Sequence, residues 1–366
     1  MKDTVDGELF SRNLPALKSR EEMKDILLDN VYGRLPDVAY SCGVGTPTTV
    51  EGRMCGGRAV LSTAEMTIST ALGSHSFPLF RLLHTDGEKH PFFVFLNFHS
   101  VPSLYYPVEE IAESGFDVLS VCYTDVTTDD GDFANGLAGI LMPPHAREGE
   151  NGGSAAGKLA VWAFAASRLL DYASTIDCLD MSRAAVIGHS RLGKTALLAG
   201  MLDERFNFVF ANDSGCGGDS LSKGSLGALG KTGRTGGPGE SISQITKNFP
   251  QWFCPNFRKY ADKNYSELFD QHFLVASIAP RHVYVGSASA DDWADPDSQF
   301  LSCVAASKAY EAAGLRGLVQ SGSEFPNVGD FFHDGMIGYH LRDGCHFLSR
   351  DDWQMYMRYM NAHKND

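Results

Sequence analysis

The sequence predicts an α/β fold in one domain over 1–366, with a mostly parallel, doubly wound sheet flanked by helices as a three-layer sandwich. Two observations carry this expectation. Strand-type apolar runs alternate with helical patterns between residues 89 and 341, as parallel strands joined by crossover helices require. Several of these runs are apolar at consecutive rather than alternate positions, the mark of strands buried on both faces. The 366 residues, 43% hydrophobic and 21% charged, are enough for a large core.

In chain order, SREEMKDILLDNVYG (19–33) reads as a helix, followed by a Pro- and Gly-rich crossing. Residues 1–55 are expected to be an N-terminal packing extension without chemistry. EMTIST (65–70) and FPLFRLLH (77–84) have strand character, and KHPFFVFLNFHS (89–100) is a continuous buried-strand run. A short helical pattern, PVEEIAESG, leads to a second such run, FDVLSVCY (116–123). Residues 131–157, rich in Gly, Pro, Asp and Asn, read as a surface loop too long for a simple connector. GKLAVWAFAASRLLDYAS is apolar almost all round, as a helix buried against a sheet should be. RAAVI and FNFVFAN are strands on either side of the helical SRLGKTALLAGML. RHVYVGSAS (281–289) and GMIGYHL (335–341) are further strands, separated by the helical DSQFLSCVAASKAYEAAG. Residues 219–275 are expected to form a lid or active-site loop insertion. Their glycines lack the spacing of a phosphate cradle.

A net charge of -14 disfavours nucleic acid and anionic membrane as partners. No apolar run approaches the roughly 18 to 20 residues that span a bilayer, and MKDTVDGELFSRN lacks the core of a secretory signal. The expectation is a cytoplasmic protein, or an exported one whose signal has been removed. Eight scattered cysteines (Cys42, Cys55, Cys122, Cys178, Cys216, Cys254, Cys303, Cys345) form no C-x-x-C pair. They read as free, mostly buried thiols with no metal site.

The stretch AAVIGHSRLGKTALLAG (184–200) places Ser190 between a strand and a helix. Two readings are open at this point. Ser190 is a nucleophile on a strained strand-to-helix turn, flanked by Gly188 and Gly193, or it is the N-cap of the helix. The generic pattern G-x-S-x-G is imperfect, because Leu192 fills its last place and the glycine arrives one residue later.

GHSRLGK resembles the G-C-S-R-x-G-K signature of the glucuronoyl esterases, a family of carbohydrate esterases. Similar motifs follow in the same order: NDSGCGG (212–218), GES followed by NFPQWFCPNF, SADDWADP (289–296) and GYHLRDGCHFLSRDDW (338–353). The resemblance covers most of the chain after about Pro91. It implies an α/β-hydrolase fold and a serine-type ester hydrolase. Its substrates would be esters of (4-O-methyl-)glucuronic acid in glucuronoxylan or lignin-carbohydrate linkages, cleaved through an acyl-enzyme without a cofactor. The expected partner is a glucuronate-ester carbohydrate, met by a monomer.

Such chemistry needs a base, a group that orients it and donors for the oxyanion. In the hydrolase order of Ser, acid and His, the late His346 is the expected base, with His340 in the strand before it as a buried competitor. The acid stays open between Asp213 and Asp291, each of which matches a place where the family keeps a carboxylate. By resemblance, Arg191 stabilises the oxyanion through its backbone N–H or its guanidinium, Lys194 bonds sugar hydroxyls, Trp293 lines the sugar pocket and Glu240 contacts uronate hydroxyls. Two cations in the first turn of a helix oppose its dipole, which hints at use. Trp252, Phe253 and Phe257 are expected in the core of the lid. In the fungal members a cysteine before the serine is bridged to one beside the histidine. Here His189 stands before Ser190, so Cys345 has no such partner. The alternatives are a deacetylase of xylo-oligosaccharides with the same triad, and a non-catalytic carbohydrate-binding homologue.

Overall fold

Eleven strands join into one sheet among the described residues; the computed structural model describes residues 4–148, 150–320 and 322–365. The N-terminal wing of the sheet comprises β1 (Tyr40–Val44), β2 (Thr48–Met54), β3 (Ala59–Thr70) and β4 (Gly73–His84). β1, β2 and β4 all pair antiparallel with β3. The central strands are β5 (His90–Asn97), β6 (Asp117–Cys122), β7 (Leu179–His189), β8 (Phe208–Asn212) and β9 (His282–Ala288). The short β10 (Phe331–Phe332) and then β11 (Ile337–Arg342) complete the set. The order β6-β5-β7-β8-β9-β11 is parallel throughout. β4 against β6 and β10 against β11 add antiparallel pairs at its two ends.

The uninterrupted apolar runs are explained by the two-residue period of a strand, which sends neighbours to opposite faces. Phe92, Val94 and Leu96 enter one buried cluster with Leu159, Trp162 and Leu197. Phe93 and Phe95 enter a second with Ile111 and Trp353. β7 and β8 divide likewise, Val186 and Val209 to the first cluster, Ile187 and Phe210 to the second. Helices Lys158–Ala173, Arg191–Leu202 and Pro296–Ala312 cover the first face, and Val108–Glu113 and Arg350–Ala362 the second. No helix among the described residues is long and apolar enough to cross a membrane.

Two expectations need correction. The first 55 residues hold more than one helix and a crossing, since they supply helices Val5–Arg12 and Arg20–Leu27 and the edge strands β1 and β2. Both strands are almost wholly exposed, so no buried face stamps a period on their sequence. The segment 131–157 contains a helix at Gly136–Leu141, four of whose residues are buried. Of the cysteines, Cys42 and Cys345 are exposed, one on edge strand β1 and one in the loop after β11, where side chains meet solvent.

The C-terminal ends of β7, β8, β9 and β11 deliver Ser190, Asp213, Asp291 and His346 to one edge of the sheet. Ligands of doubly wound sheets bind at that edge. The helix Arg350–Ala362 is fixed beneath it by Trp353, fully buried edge-on to Phe93 (5.1 Å) and Phe95 (5.2 Å), with its Nε1 donating to the carbonyl of Tyr105 at 2.9 Å. Trp353→Ala is expected to lower the unfolding free energy by about 3–5 kcal/mol. In urea titrations this reads as a lower midpoint at unchanged slope; an unchanged midpoint would refute the packing role.

Candidate active site

β7 ends at His189 and the next helix begins at Arg191, so the chain must turn at Ser190 alone. Ser190 does so with φ 57° and ψ −126°, a conformation costly for a residue with a Cβ. Its N–H donates to the carbonyl of Asn212 at 2.8 Å, and its own carbonyl accepts from Gly193 (2.9 Å) and Lys194 (3.1 Å). Its hydroxyl makes no capping bond. Ser190 thus occupies the cap position without doing the cap's work, and the N-cap reading falls.

The glycines explain how the turn is tolerated. A Cβ on Gly188 would strike the carbonyl of Leu192, and one on Gly193 would lie 2.9 Å from Cβ of Ser214 and 3.2 Å from the carbonyl of Asn212. The displaced glycine therefore lets the start of the helix approach the segment after β8. Leu192, in the place where the generic pattern has glycine, is fully buried.

His346 lies in the loop after β11. Its Nδ1 is 2.6 Å from Oδ2 of Asp291, which is buried while the imidazole is 41% exposed. With the Nδ1 proton donated to the carboxylate, Nε2 carries the lone pair. The ring sits 4.5 Å from that of His189, the residue before the serine. Neither Nε2 nor the Ser190 hydroxyl bonds another described residue; nucleophile–base bonds commonly tighten only in the substrate complex. His340 is the buried imidazole expected of it, held between Asp352 (2.8 Å) and the hydroxyl of Tyr284 (3.1 Å).

The geometry separates the two carboxyls that the sequence left open. Asp213 is 1% exposed, with φ 45°, and its Oδ1 accepts from the N–H of Ala288 at 2.9 Å. Its Oδ2 faces Nη2 of Arg342 at 3.3 Å and makes no bond to His346. Burial, reinforced by the charge of Asp291, pushes the Asp213 carboxyl well above the usual range. Asp213, Asp291 and His346 still lie close, with one polar atom from each within 4.8 Å of the others.

The guanidinium of Arg191 pairs with Asp129 and lies over the rings of Trp252 (4.4 Å), Phe98 (5.5 Å) and Phe249 (5.5 Å). The pairing uses Nη1; Nε is buried with no hydrogen-bond partner among the described residues. The backbone N–H, first in its helix, also has no intrahelical acceptor. Lys194 is 3% exposed and donates to the carbonyl of Ser214. Burial pulls its pKa down, and Glu240 opposes the shift. Glu240, 7% exposed, is raised by burial against Lys194, and its N–H donates to the carbonyl of Trp293 at 3.0 Å. Trp293 keeps 38% of its surface exposed. Beside it, Asp292 staples the Gly-rich loop by accepting from the N–H (2.9 Å) and hydroxyl (2.6 Å) of Thr235 and the N–H of Gly237 (2.7 Å).

Trp252, Phe253 and Phe257 are buried as expected, with Trp252 also serving as a face for Arg191. Asp129 was not anticipated. Besides Arg191 it accepts from Trp252 Nε1 (2.6 Å), Gln251 Nε2 (3.2 Å) and the hydroxyl of Tyr123 (3.2 Å). Nothing in VTTDDGDF distinguishes it from Asp130 and Asp132. An arginine in the first turn of a helix was the available signal that some carboxylate must face it.

Comparison with known proteins agrees with these motifs. The model of the family described as glucuronyl esterase, fungi, matches residues 151–314. The carbohydrate esterase MZ0003 of an unknown prokaryotic organism is 30% identical, the match covering 94% of this chain and 84% of that protein. The 4-O-methyl-glucuronoyl methylesterase of Podospora anserina is 31% identical over 43% of this chain, and the match spans only 33% of its own length. Among solved structures, a glucuronoyl esterase from Solibacter usitatus superimposes with a TM-score of 0.81 at 27% identity, covering 95% of this chain and 96% of that one.

The neighbour of the serine has its own measurable signature. Burial, with the charge of His346 adding to it, drives His189 down to about 3, and its Nδ1 meets Oδ1 of Asn212 at 2.6 Å. Unfolded, this imidazole titrates at its ordinary 6.5. The unfolded chain therefore binds the extra proton, and the stability present above pH 6.5 is lost as pH falls towards about 3. Between pH 7 and pH 4.5 the wild type is expected to lose about 2 kcal/mol more unfolding free energy than His189→Phe. Equal losses in urea titrations at the two pH values would contradict a buried neutral His189.

Proposed function

The chain belongs to the glucuronoyl esterase family, and on that premise we propose that it hydrolyses esters of (4-O-methyl-)glucuronic acid through an acyl-enzyme on Ser190. One juxtaposition carries the reading. A serine with a free hydroxyl, in a positive-φ turn, shares a rim with the Asp291–His346 pair and with Lys194, Glu240 and Trp293.

In the first half of the reaction Oγ of Ser190 attacks the ester carbonyl and its proton passes to Nε2 of His346. The oxyanion is met by the backbone N–H of Arg191 and by its unpartnered Nε, the latter held in place by Asp129 and the face of Trp252. Collapse breaks the bond to the alcohol, which leaves with the proton from His346. Water then attacks the acyl-enzyme with His346 as base, and collapse returns the proton to Ser190 and releases the uronic acid. Asp291 holds the imidazole by Nδ1 and stabilises its protonated form. Asp213 spends its oxygens on the N–H of Ala288 and on Arg342 and makes no bond to the ring, so it does not orient it.

Specificity for a uronate ester is a matter of hydroxyls. Lys194 spends one donor on Ser214, leaving two for sugar oxygens, and Glu240 supplies acceptors beside it. Trp293 offers an apolar face for a pyranose ring at the mouth of the site. An acetylated sugar places its ring on the alcohol side of the ester and so loses these contacts on the acyl side.

Ser190→Ala is expected to abolish release of methanol from methyl glucuronate, with the fold intact by circular dichroism. Asp291→Asn is expected to lower kcat about 10³- to 10⁴-fold, and Asp213→Asn less than about tenfold. A larger loss at Asp213 would reassign the acid. Faster wild-type turnover of an acetylated xylo-oligosaccharide than of methyl glucuronate would replace the substrate class.

A further inference from the structure

The base sits in a loop with little of its own to hold it. Cys345 and His346 are exposed, Gly344 has φ 121°, and the one side-chain hydrogen bond of His346 is to Asp291. Entry into the loop is fixed by backbone bonds from Ser289 to the carbonyl of Arg342 (2.9 Å) and from Ala290 to that of Gly344 (2.8 Å). Past Gly344 the rings of His189 and Tyr105 pack against His346 and Phe347, and the hydrogen bonds to the loop backbone come from Arg342, the last residue of β11.

The guanidinium of Arg342 reaches five groups. Nε donates to both oxygens of Asp352, at 3.0 and 2.8 Å. Nη1 donates to the carbonyl of Asp343 at 3.1 Å. Nη2 donates to the carbonyls of Cys345 (3.0 Å) and Phe347 and faces Oδ2 of Asp213 at 3.3 Å. Cys345 and Phe347 are the two residues on either side of His346, so one nitrogen grips the backbone immediately before and after the base.

The other end of the fork is anchored. Asp352 is fully buried and also accepts from the N–H (2.6 Å) and hydroxyl (2.7 Å) of Ser349 and lies against His340, so it is tied to the start of helix Arg350–Ala362 and to β11 together. A planar group with five N–H donors in fixed directions can serve such a set, whereas a lysine ammonium, a point charge on a flexible stem, cannot reach both sides.

We infer that Arg342 is the positioning residue for the base, its guanidinium fixing the backbone on both sides of His346 against the anchored carboxylate of Asp352 so that the imidazole stands at the right distance from Ser190. The inference rests on the reading of His346 as the base. It assigns Arg342 no contact with substrate. Its effect therefore falls on the chemical step, where a displacement of about 1 Å costs on the order of 10²-fold.

The test is a kcat and KM measurement on methyl glucuronate with Arg342→Lys, Arg342→Ala and Asp352→Asn beside the wild type. For Arg342→Lys, which keeps the charge, kcat is expected to fall by about 30- to 100-fold while KM moves less than about threefold. Millimolar guanidinium is expected to restore part of the kcat of Arg342→Ala, and methylammonium to restore none. Asp352→Asn leaves Arg342 in place but loosens its anchor, and a drop in kcat of about tenfold at constant KM is expected, which keeps the question open to measurement should the Arg342 variants fail to fold. Wild-type kcat in Arg342→Lys or in Asp352→Asn overturns the inference, as does equal rescue by the two cations. A wild type inactive on glucuronate esters defeats the proposed function instead, and the two failures are therefore distinct.

Discussion

The whole site hangs on one backbone turn that an ordinary sequence cannot make. To pass from β7 into the helix Arg191–Leu202 within a single residue, the chain drives Ser190 into a positive-φ conformation and presses the first turn of the helix against the segments on both sides. The cost is met by the surrounding fold. β7 lies between β5 and β8 in the middle of the sheet, and both its faces are packed. Gly188 and Gly193 remove the two Cβ atoms that would keep backbone from backbone. What the strain returns is a hydroxyl lifted clear of its own helix, together with a free N–H at Arg191 beside it.

Around that turn the molecule gathers charges that would be prohibitive singly. Arg191 with Asp129 and Arg342 with Asp352 are ion pairs largely withdrawn from water, and Lys194 is buried within the field of Glu240. Desolvating an ion costs several kcal/mol that only a close partner offsets. These pairs are therefore poor devices for stability and good ones for pre-set geometry. Two of these cations leave capacity unused: two N–H donors on Lys194, Nε on Arg191. Unused donors in a dry, fixed frame suit a polar ligand that arrives with its own acceptors.

Much of this could be read from the chain in advance, and the boundary of legibility has a physical cause. β5 to β9 and β11 were visible because burial on both faces writes consecutive apolar residues. β1 and β2, wet on both faces, write nothing. The places of Ser190 and His346 at the ends of β7 and β11 follow from the order of elements, a one-dimensional property. The choice between Asp213 and Asp291 could not be made that way, since both follow neighbouring strands and differ only in which oxygen meets an imidazole. Asp129 escaped for the same reason: its partner Arg191 stands 62 residues away. Contacts across such separations leave no local pattern.

The aromatic packing beside the serine has one more consequence. The ring of His189 rests against His346, Tyr105 (5.3 Å) and Phe98 (6.0 Å), while Tyr105 in turn touches Phe347 at 4.8 Å. All eight cysteines are free thiols. The histidine loop is thus clasped by packed rings and by no covalent cross-link. Its assembly asks for no electron acceptor, so glutathione or dithiothreitol has no bond here to cut.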